Sequence, residues 1–263
     1  MSMTVISAAS WAKFARGGWQ PTKATRRFGL TAVVVAATVA ACAPIQSGPP
    51  VAPNFVFAPP SSNSATHYNM SIGILRPLGA GQAPGENFFV TNVPIFANGK
   101  AVIDQMLTAT QADIERIIIA RGFTTAGAYS TIDEMTFSAK ERATLILRPT
   151  FTVNLTVMNV PFGQSTATIG GYAVLELLEP MSREKVWIKR LDLAPITRPV
   201  QLQPGQIGNQ LVSVISTNSM TDLLNVFYMP MMAKMWDQLD GREIETLKRD
   251  ADKLKAATRY RGG

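Results

Sequence analysis

Thr144-Leu145-Ile146-Leu147-Arg148-Pro149-Thr150-Phe151-Thr152-Val153-Asn154-Leu155-Thr156-Val157-Met158 is the stretch from which the fold can be read. Leu145, Leu147, Phe151, Val153, Leu155 and Val157 alternate with Thr144, Arg148, Thr150, Thr152, Asn154 and Thr156. A period of two places one set on a buried face of a strand and the other on a wetter face. Pro149 interrupts the run, and because proline cannot donate to a ladder an edge position or a bend is expected there.

Working outward, a turn over 161–171 leads into Tyr172–Leu178 and Lys185–Leu193, which read as a hairpin joined by Glu179-Pro180-Met181-Ser182-Arg183-Glu184. Upstream, Ile103, Leu107, Ile114, Ile117 and Ile118 share one face of a helix predicted over 98–121, with Gly122 as its left-handed cap. Thr124–Tyr129 and Tyr68–Arg76 read as further strands, the latter ending at Pro77 before a glycine-rich loop. Downstream, Ser219 is the expected cap of a helix carrying Leu224, Phe227, Met231, Met235 and Leu239, which Pro230 would kink or end. Ile244, Leu247, Ala251 and Leu254 continue an apolar stripe along a charged tail helix. The order helix, strands, helix predicts an α+β fold: a mixed or antiparallel sheet with a long helix and C-terminal helices packed on it.

The N-terminal region is organised differently. Residues 1–41 contain Lys13, Arg16, Lys23, Arg26 and Arg27 and no acidic residue, followed by the apolar run Phe28 to Ala41. At about 1.5 Å per residue that run reaches roughly 21 Å as a helix, short of the ~30 Å hydrocarbon core of a bilayer. It reads as the core of a signal peptide and not as a stable span. Arg26-Arg27 invites a twin-arginine reading, which Gly29 disfavours. The run closes on Val39-Ala40-Ala41-Cys42, which looks like a bacterial lipobox. On this reading Val39, Ala40 and Ala41 are the recognition residues of signal peptidase II. Cys42, the one cysteine of the chain, becomes the acylated first residue of the mature protein. The bland alternative is a buried free cysteine acting as a small hydrophobe. Ala43 follows the cysteine in place of an aspartate, which favours export to the outer membrane.

Three segments are therefore expected: a signal peptide over 1–41, a Pro/Ser-rich tether over 42–66, and a single domain over 67–263. The tether contains six prolines, and at about 3.1 Å per residue it would extend up to roughly 75 Å, unless Phe55 and Phe57 pin part of it to the domain. The chain carries +7, but the leader holds five of its 25 Lys/Arg and none of its 18 Asp/Glu, leaving +2. That balance removes the main support for a nucleic-acid partner. With Cys42 acylated no thiol is left for a disulfide or a cysteine metal site.

Little in the sequence points to catalysis. His67 is the one histidine, expected at the surface, so Ser-His pairs and multi-histidine metal sites are hard to assemble. Glu176, Glu179 and Glu184 offer a carboxylate pair, with solvated hairpin glutamates as the simpler reading. The Gly/Ser/Thr-rich stretch 163–171 lacks the lysine of a phosphate-binding loop. Arg76 and Arg148 each precede a proline at a strand end and are weak candidates for a paired anion site; the structural reading pairs them with an acidic residue such as Asp104 or Asp133. The tail-helix methionines offer either an adaptable partner surface or ordinary core packing. No cofactor or metal is called for, and a non-catalytic binding protein is expected.

The run Gly171 to Ser182, above all Leu178-Glu179-Pro180-Met181-Ser182, resembles the neuraminyl-lactose-binding hemagglutinin family of bacterial lipoproteins. The spacing of Leu239, Leu247, Asp250, Ala251, Leu254 and Lys255 is similar too. Ile74-Leu75-Arg76-Pro77 and Ile146-Leu147-Arg148-Pro149 match the family's Leu-Arg-Pro strand ends, and the helix ending at Gly122-Phe123 fits as well. The resemblance spans roughly 70–257. It implies an outer-membrane or surface lipoprotein and, for the founding activity, a sialylated-glycan-binding adhesin. The family's proposed sialic-acid motif is Lys/Arg/Thr-rich and follows the second Leu-Arg-Pro, whereas residues 150–163 contain no Lys or Arg to meet a sugar carboxylate. The competing reading is a periplasm-facing structural accessory of an envelope, secretion or motility assembly. The expected partners are thus the membrane, through the Cys42 acyl chains, and a glycan or an envelope protein.

Overall fold

The computed structural model describes residues 49–60, 66–79, 89–92, 95, 97–159, 164–207 and 209–261. The long alternating stretch is the strand β5, Leu145–Met158, and the sheet is built on it. On one side it pairs antiparallel along its length with β6 (Thr166–Leu178), which pairs antiparallel with β7 (Lys185–Pro199). On the other side three short strands run parallel to it in succession: β1 (Ser71–Leu75), β2 (Leu78–Gly79) and β3 (Phe89–Thr91). A further strand, β4 (Thr124–Tyr129), lies parallel to β1 at the sheet edge. The fold is α+β with a mixed sheet.

Pro149 is neither at an edge nor outside the strand. It sits within β5 opposite Leu175 of β6, while on the other side the β1 ladder stops at Leu147 and the β2 ladder starts at Thr150. The missing N–H therefore falls where the parallel ladder is already broken by Arg76-Pro77.

One sheet face carries the main core. Leu145, Leu147, Phe151, Val153, Leu155 and Val157 meet Ala173, Leu175 and Leu177 of β6 and two long helices. The first, α1 (Ala97–Ala120), presents the expected isoleucine and leucine stripe. Gly122 follows it at φ +93°, where a Cβ would lie 1.8 Å from the carbonyl oxygen of Thr66, so only glycine fits this cap. The second, α3 (Thr217–Gln238), buries Leu223, Leu224, Phe227, Tyr228, Met231, Met232 and Met235. Its cap is Ser216, whose hydroxyl accepts from Ser219 N–H, and not Ser219 itself. Nor does Pro230 end the helix: it lies on the exposed side while its neighbours Phe227, Tyr228, Met231 and Met232 hold both turns in the core.

The second face is covered only in part. A turn of 3-10 helix, Ile132–Glu134, and the short helix α2 (Phe137–Arg142) bury Leu75, Ile146, Leu178, Met135 and Ala139 in a small cluster. The remainder of that face over β5, β6 and β7 has no covering element among the described residues. After α3 come α4 (Gly241–Thr246), capped by Asp240, and α5 (Lys248–Arg261). Sequence reasoning had no element for β8 (Leu202–Ile207) and β9 (Gln210–Ile215), which form a separate two-stranded sheet between β7 and α3.

Candidate functional site

Val39, Ala40, Ala41 and Cys42 lie outside the described residues. Further along, from Val51 to Phe57, the chain is fastened along α3 and α1. Val51 N–H donates to Asn218 Oδ1 at 3.4 Å and Asn54 N–H to Asn225 Oδ1 at 2.8 Å, while Asn225 Nδ2 returns a bond to the Ala52 carbonyl at 3.0 Å. Phe55 and Phe57 are buried in the main core, with the Phe55 ring 5.3 Å from that of Tyr228. Each buried phenylalanine contributes about 1.5–3 kcal/mol, so the docking is stable, and the proline-rich composition gave it only as an alternative.

Asp113 is the centre of this junction. Its carboxylate is buried, with Oδ2 accepting from Phe57 N–H at 2.6 Å and from Tyr228 O–H at 2.6 Å. Arg116, half-exposed, closes the network on Oδ1 at 2.5 Å. Burial and then the Asp113 hydrogen bond push the Tyr228 phenol well above the ordinary tyrosine range, which keeps it a donor. Sequence reasoning passed over both residues. A signal existed: Thr110, Asp113, Ile114 and Ile117 are spaced i, i+3, i+4, i+7, placing a carboxylate in the middle of an apolar helix stripe.

Arg76 and Arg148 do not form a joint anion site. Arg76 reaches across the core side to Asp104 of α1 at 3.2 Å, one of the two partners that the structural reading named. Arg148 projects from the other face and donates to Glu176 Oε2 through Nε at 2.7 Å, with its terminal nitrogen at 2.6 Å. Lys185 pairs with Oε1 of the same carboxylate. Asp133 is taken by Arg183.

Two glutamates expected in solvent are buried. Burial alone would raise the pKa of Glu176, but the hydrogen bonds from Lys185 and Arg148 outweigh it and hold the carboxyl below the usual range. Glu179, fully buried, organises the β6–β7 turn: its Oε2 accepts from the N–H groups of Met181 at 2.9 Å and Ser182 at 2.6 Å. The Leu-Glu-Pro-Met-Ser run thus has a structural role, since its carboxylate supplies the acceptor that the tight turn lacks. Glu184 is exposed, as expected, and so is His67.

The uncovered part of the second face is hydroxyl-rich. Thr150, Thr152, Asn154 and Thr156 of β5 lie beside Thr168, Tyr172 and Val174 of β6, with Ile188, Arg190 and Thr197 of β7 opposite. Arg190 stacks over the Tyr172 ring at 3.8 Å, and Thr168 and Thr197 share a hydrogen bond of 2.8 Å. Thr152 Oγ1 is buried without a protein partner. Asp192, opposite Tyr172, accepts from Arg190 Nε at 3.0 Å, so this surface presents hydroxyls and a stacked tyrosine–guanidinium–carboxylate cluster to a flat ligand, while among the described residues no group of metal ligands converges on it. The clefts are open grooves elsewhere, including one of about 240 Å³ lined by Val51, Gln164, Gln201, Asn218 and Asp222. The tail-helix methionines are committed to packing: Met220, Met231, Met232 and Met235 are all buried, leaving Met229 exposed. Among the described residues no helix is long and apolar enough to cross a membrane.

No family model matches the chain, and no curated protein matches it. Solved structures do. A Helicobacter pylori protein described as a homologue of the neuraminyllactose-binding hemagglutinin aligns with a TM-score of 0.54 at 14% identity, over 77% of this chain and 100% of that one. A Xanthomonas campestris protein of the DUF330 family aligns at 0.35 and 11% identity, over 74% and 97% of the two chains. A Neisseria meningitidis lipoprotein aligns at 0.22 and 17% identity, over 49% and 83%. The chain shares the fold of the first; at these identities the likeness extends to fold alone.

Proposed function

We propose that this protein is an outer-membrane lipoprotein, acylated at Cys42, whose domain works by binding and not by catalysis. The observation that carries the reading is the arrangement of the N-terminal region. A basic stretch, an apolar run and Val39-Ala40-Ala41-Cys42 are followed within nine residues by Val51, where the chain is fastened to the domain. A leader followed at once by a docked segment suits a domain carried close to a lipid surface. The fold shared with the H. pylori hemagglutinin homologue supports the same reading.

The binding surface is the uncovered face of β5, β6 and β7. Tyr172 with the Arg190 guanidinium stacked on its ring, and Asp192 holding that guanidinium at 3.0 Å, forms a polar ledge, and the threonines add hydroxyl donors and acceptors, a set suited to a polar, flat ligand such as a glycan. Arg148 is not part of it, since Glu176 neutralises its guanidinium.

Fractionation tests the anchoring. The parent chain is expected in the outer-membrane fraction and Cys42→Ser outside it; equal distribution of the two would count against the anchor. For the face, a glycan panel is compared for the parent and Tyr172→Ala. Binding lost in the variant supports the glycan reading, and absence of any binding turns the assignment to an envelope protein.

A further inference from the structure

The fixed charges of this chain are segregated along the fold. Three stretches are uncharged at neutral pH, 28–75, 149–175 and 199–221. The described parts of the last two come together at one end of the domain. Met158 at the end of β5 is paired with Thr166 at the start of β6, and Thr166 with Pro199 at the end of β7. The helix α3 returns antiparallel to β7, with Asp222 3.7 Å from Arg198 and Lys234 at the Asp192 carbonyl, so its N-terminus is at the same end. The hairpin β8–β9 is rooted there, between Pro199 and α3. So is the first hydrogen bond of the described N-terminal segment to the domain, that of Val51 with Asn218 in the first turn of α3. The opposite end carries charged α4 and α5, where Glu243 accepts from Trp187 and Lys189 at the start of β7.

The hairpin itself is unusual in water. It pairs with no third strand among the described residues, and an isolated pair of strands is marginal in stability. Exposed strand edges are normally guarded by charge or proline, and this hairpin has Pro204 in β8 but no charged residue in either strand. Its root is buried through Val214 and Ile215, whereas Leu211 near the tip is 83% exposed and Met158, at the same end, 63%. A strand of six residues is about 20 Å long. The nine residues from Cys42 to Val51 span at most about 32 Å, so a bilayer holding Cys42 lies within reach of the hairpin. Lys100 borders this end, the sign that suits anionic headgroups, and the charge of Arg198 is offset there by Asp222.

We propose that this uncharged end, led by the β8–β9 hairpin and Leu211, rests in the headgroup region of the lipid leaflet that holds the acyl chains of Cys42. The proposal rests on the anchoring reading above. The test uses the full acylated chain, in which Cys42 is consumed. A cysteine introduced as Leu211→Cys carries an environment-sensitive dye, with Glu245→Cys in α4 as the distal control. Each is reconstituted into vesicles of phosphatidylethanolamine and phosphatidylglycerol, with and without brominated acyl chains.

The expected result is a blue shift at position 211 and a several-fold larger quenching there than at 245. Slower amide exchange over 202–215 in the unlabelled chain on vesicles than in detergent-free solution excludes an effect of the dye. Equal quenching at the two positions in protein that floats with the vesicles overturns the proposal and leaves the anchor intact. Self-quenching that grows with protein density, without a response to brominated lipid, assigns the hairpin to a second copy and also overturns it. Protein that does not float overturns both readings.

Discussion

Replacing Asp113 by alanine is expected to loosen the N-terminal segment selectively. The carboxylate is the shared acceptor for Phe57 N–H and Tyr228 O–H. If the segment stayed docked, two buried donors would lose their partner at about 1–3 kcal/mol each. If it undocked, Phe57 N–H would find water, but the burial of Phe55 and Phe57, about 1.5–3 kcal/mol apiece, would be lost. The two routes give losses of about 2–6 and 3–6 kcal/mol, a large share of the ~5–15 kcal/mol typical of a domain. The ion pair with half-exposed Arg116 adds little, because solvent screens it. Asp113→Asn keeps the shape and one acceptor oxygen and is expected to cost about 1–2 kcal/mol. Urea denaturation gives the magnitudes, and hydrogen exchange locates them: protection at 51–58 should collapse in the alanine variant while β5 and β6 remain protected. Both variants lying within about 0.5 kcal/mol of the parent, with exchange at Phe57 unchanged, would refute this account of the junction.

Other perturbations address the sheet and the turn. Glu176 has a folded pKa below its unfolded value, so its contribution is present above about pH 4.3 and is lost as pH falls through the folded pKa. Glu176→Gln should therefore be less stable at neutral pH and show a flatter acid limb, measured as urea midpoints from pH 7 to pH 3. Gly171→Ala places a Cβ 2.0 Å from the Thr152 carbonyl oxygen at φ +140°, and a fall in Tm of well over ten degrees is expected. Glu179→Ala deprives Met181 and Ser182 N–H of their acceptor in a partly buried turn, with an expected loss of about 1–3 kcal/mol by chemical denaturation. Pro230→Ala restores a helix donor on the exposed side of α3 and should raise stability by about 1–3 kcal/mol, seen as a higher urea midpoint.

Much of the architecture is legible because burial is periodic. Thr144–Met158 announces β5 through strict alternation, α1 through its isoleucines, and Gly122 through its place after the last apolar turn. The readings that differ do so for identifiable physical reasons. Glu176 and Glu179 look solvated because sequence spacing does not reveal that Arg148 and Lys185 converge on one carboxylate, or that a turn supplies backbone donors to the other. Ser219 looks like the cap of α3 because Ser216 and Ser219 are equally suitable residue types, and only the backbone shows which leaves the helix. The hairpin β8–β9 is hidden by Pro204, Gly205 and three glutamines, which dilute any strand signal. Six prolines similarly mask the docking of Phe55 and Phe57, which depends on an aspartate 56 residues away in sequence from Phe57. Arg76 and Arg148 share a motif but lie on opposite faces, a consequence of where each falls in the pleat.

Acylation at Cys42 is read from the intact mass of the protein purified from membranes. The expected species begins at Cys42, lacks residues 1–41 and is heavier than residues 42–263 by a diacylglyceryl group with or without an N-acyl chain. A chain that keeps its leader, or one that begins elsewhere with an unmodified Cys42 thiol, would contradict it.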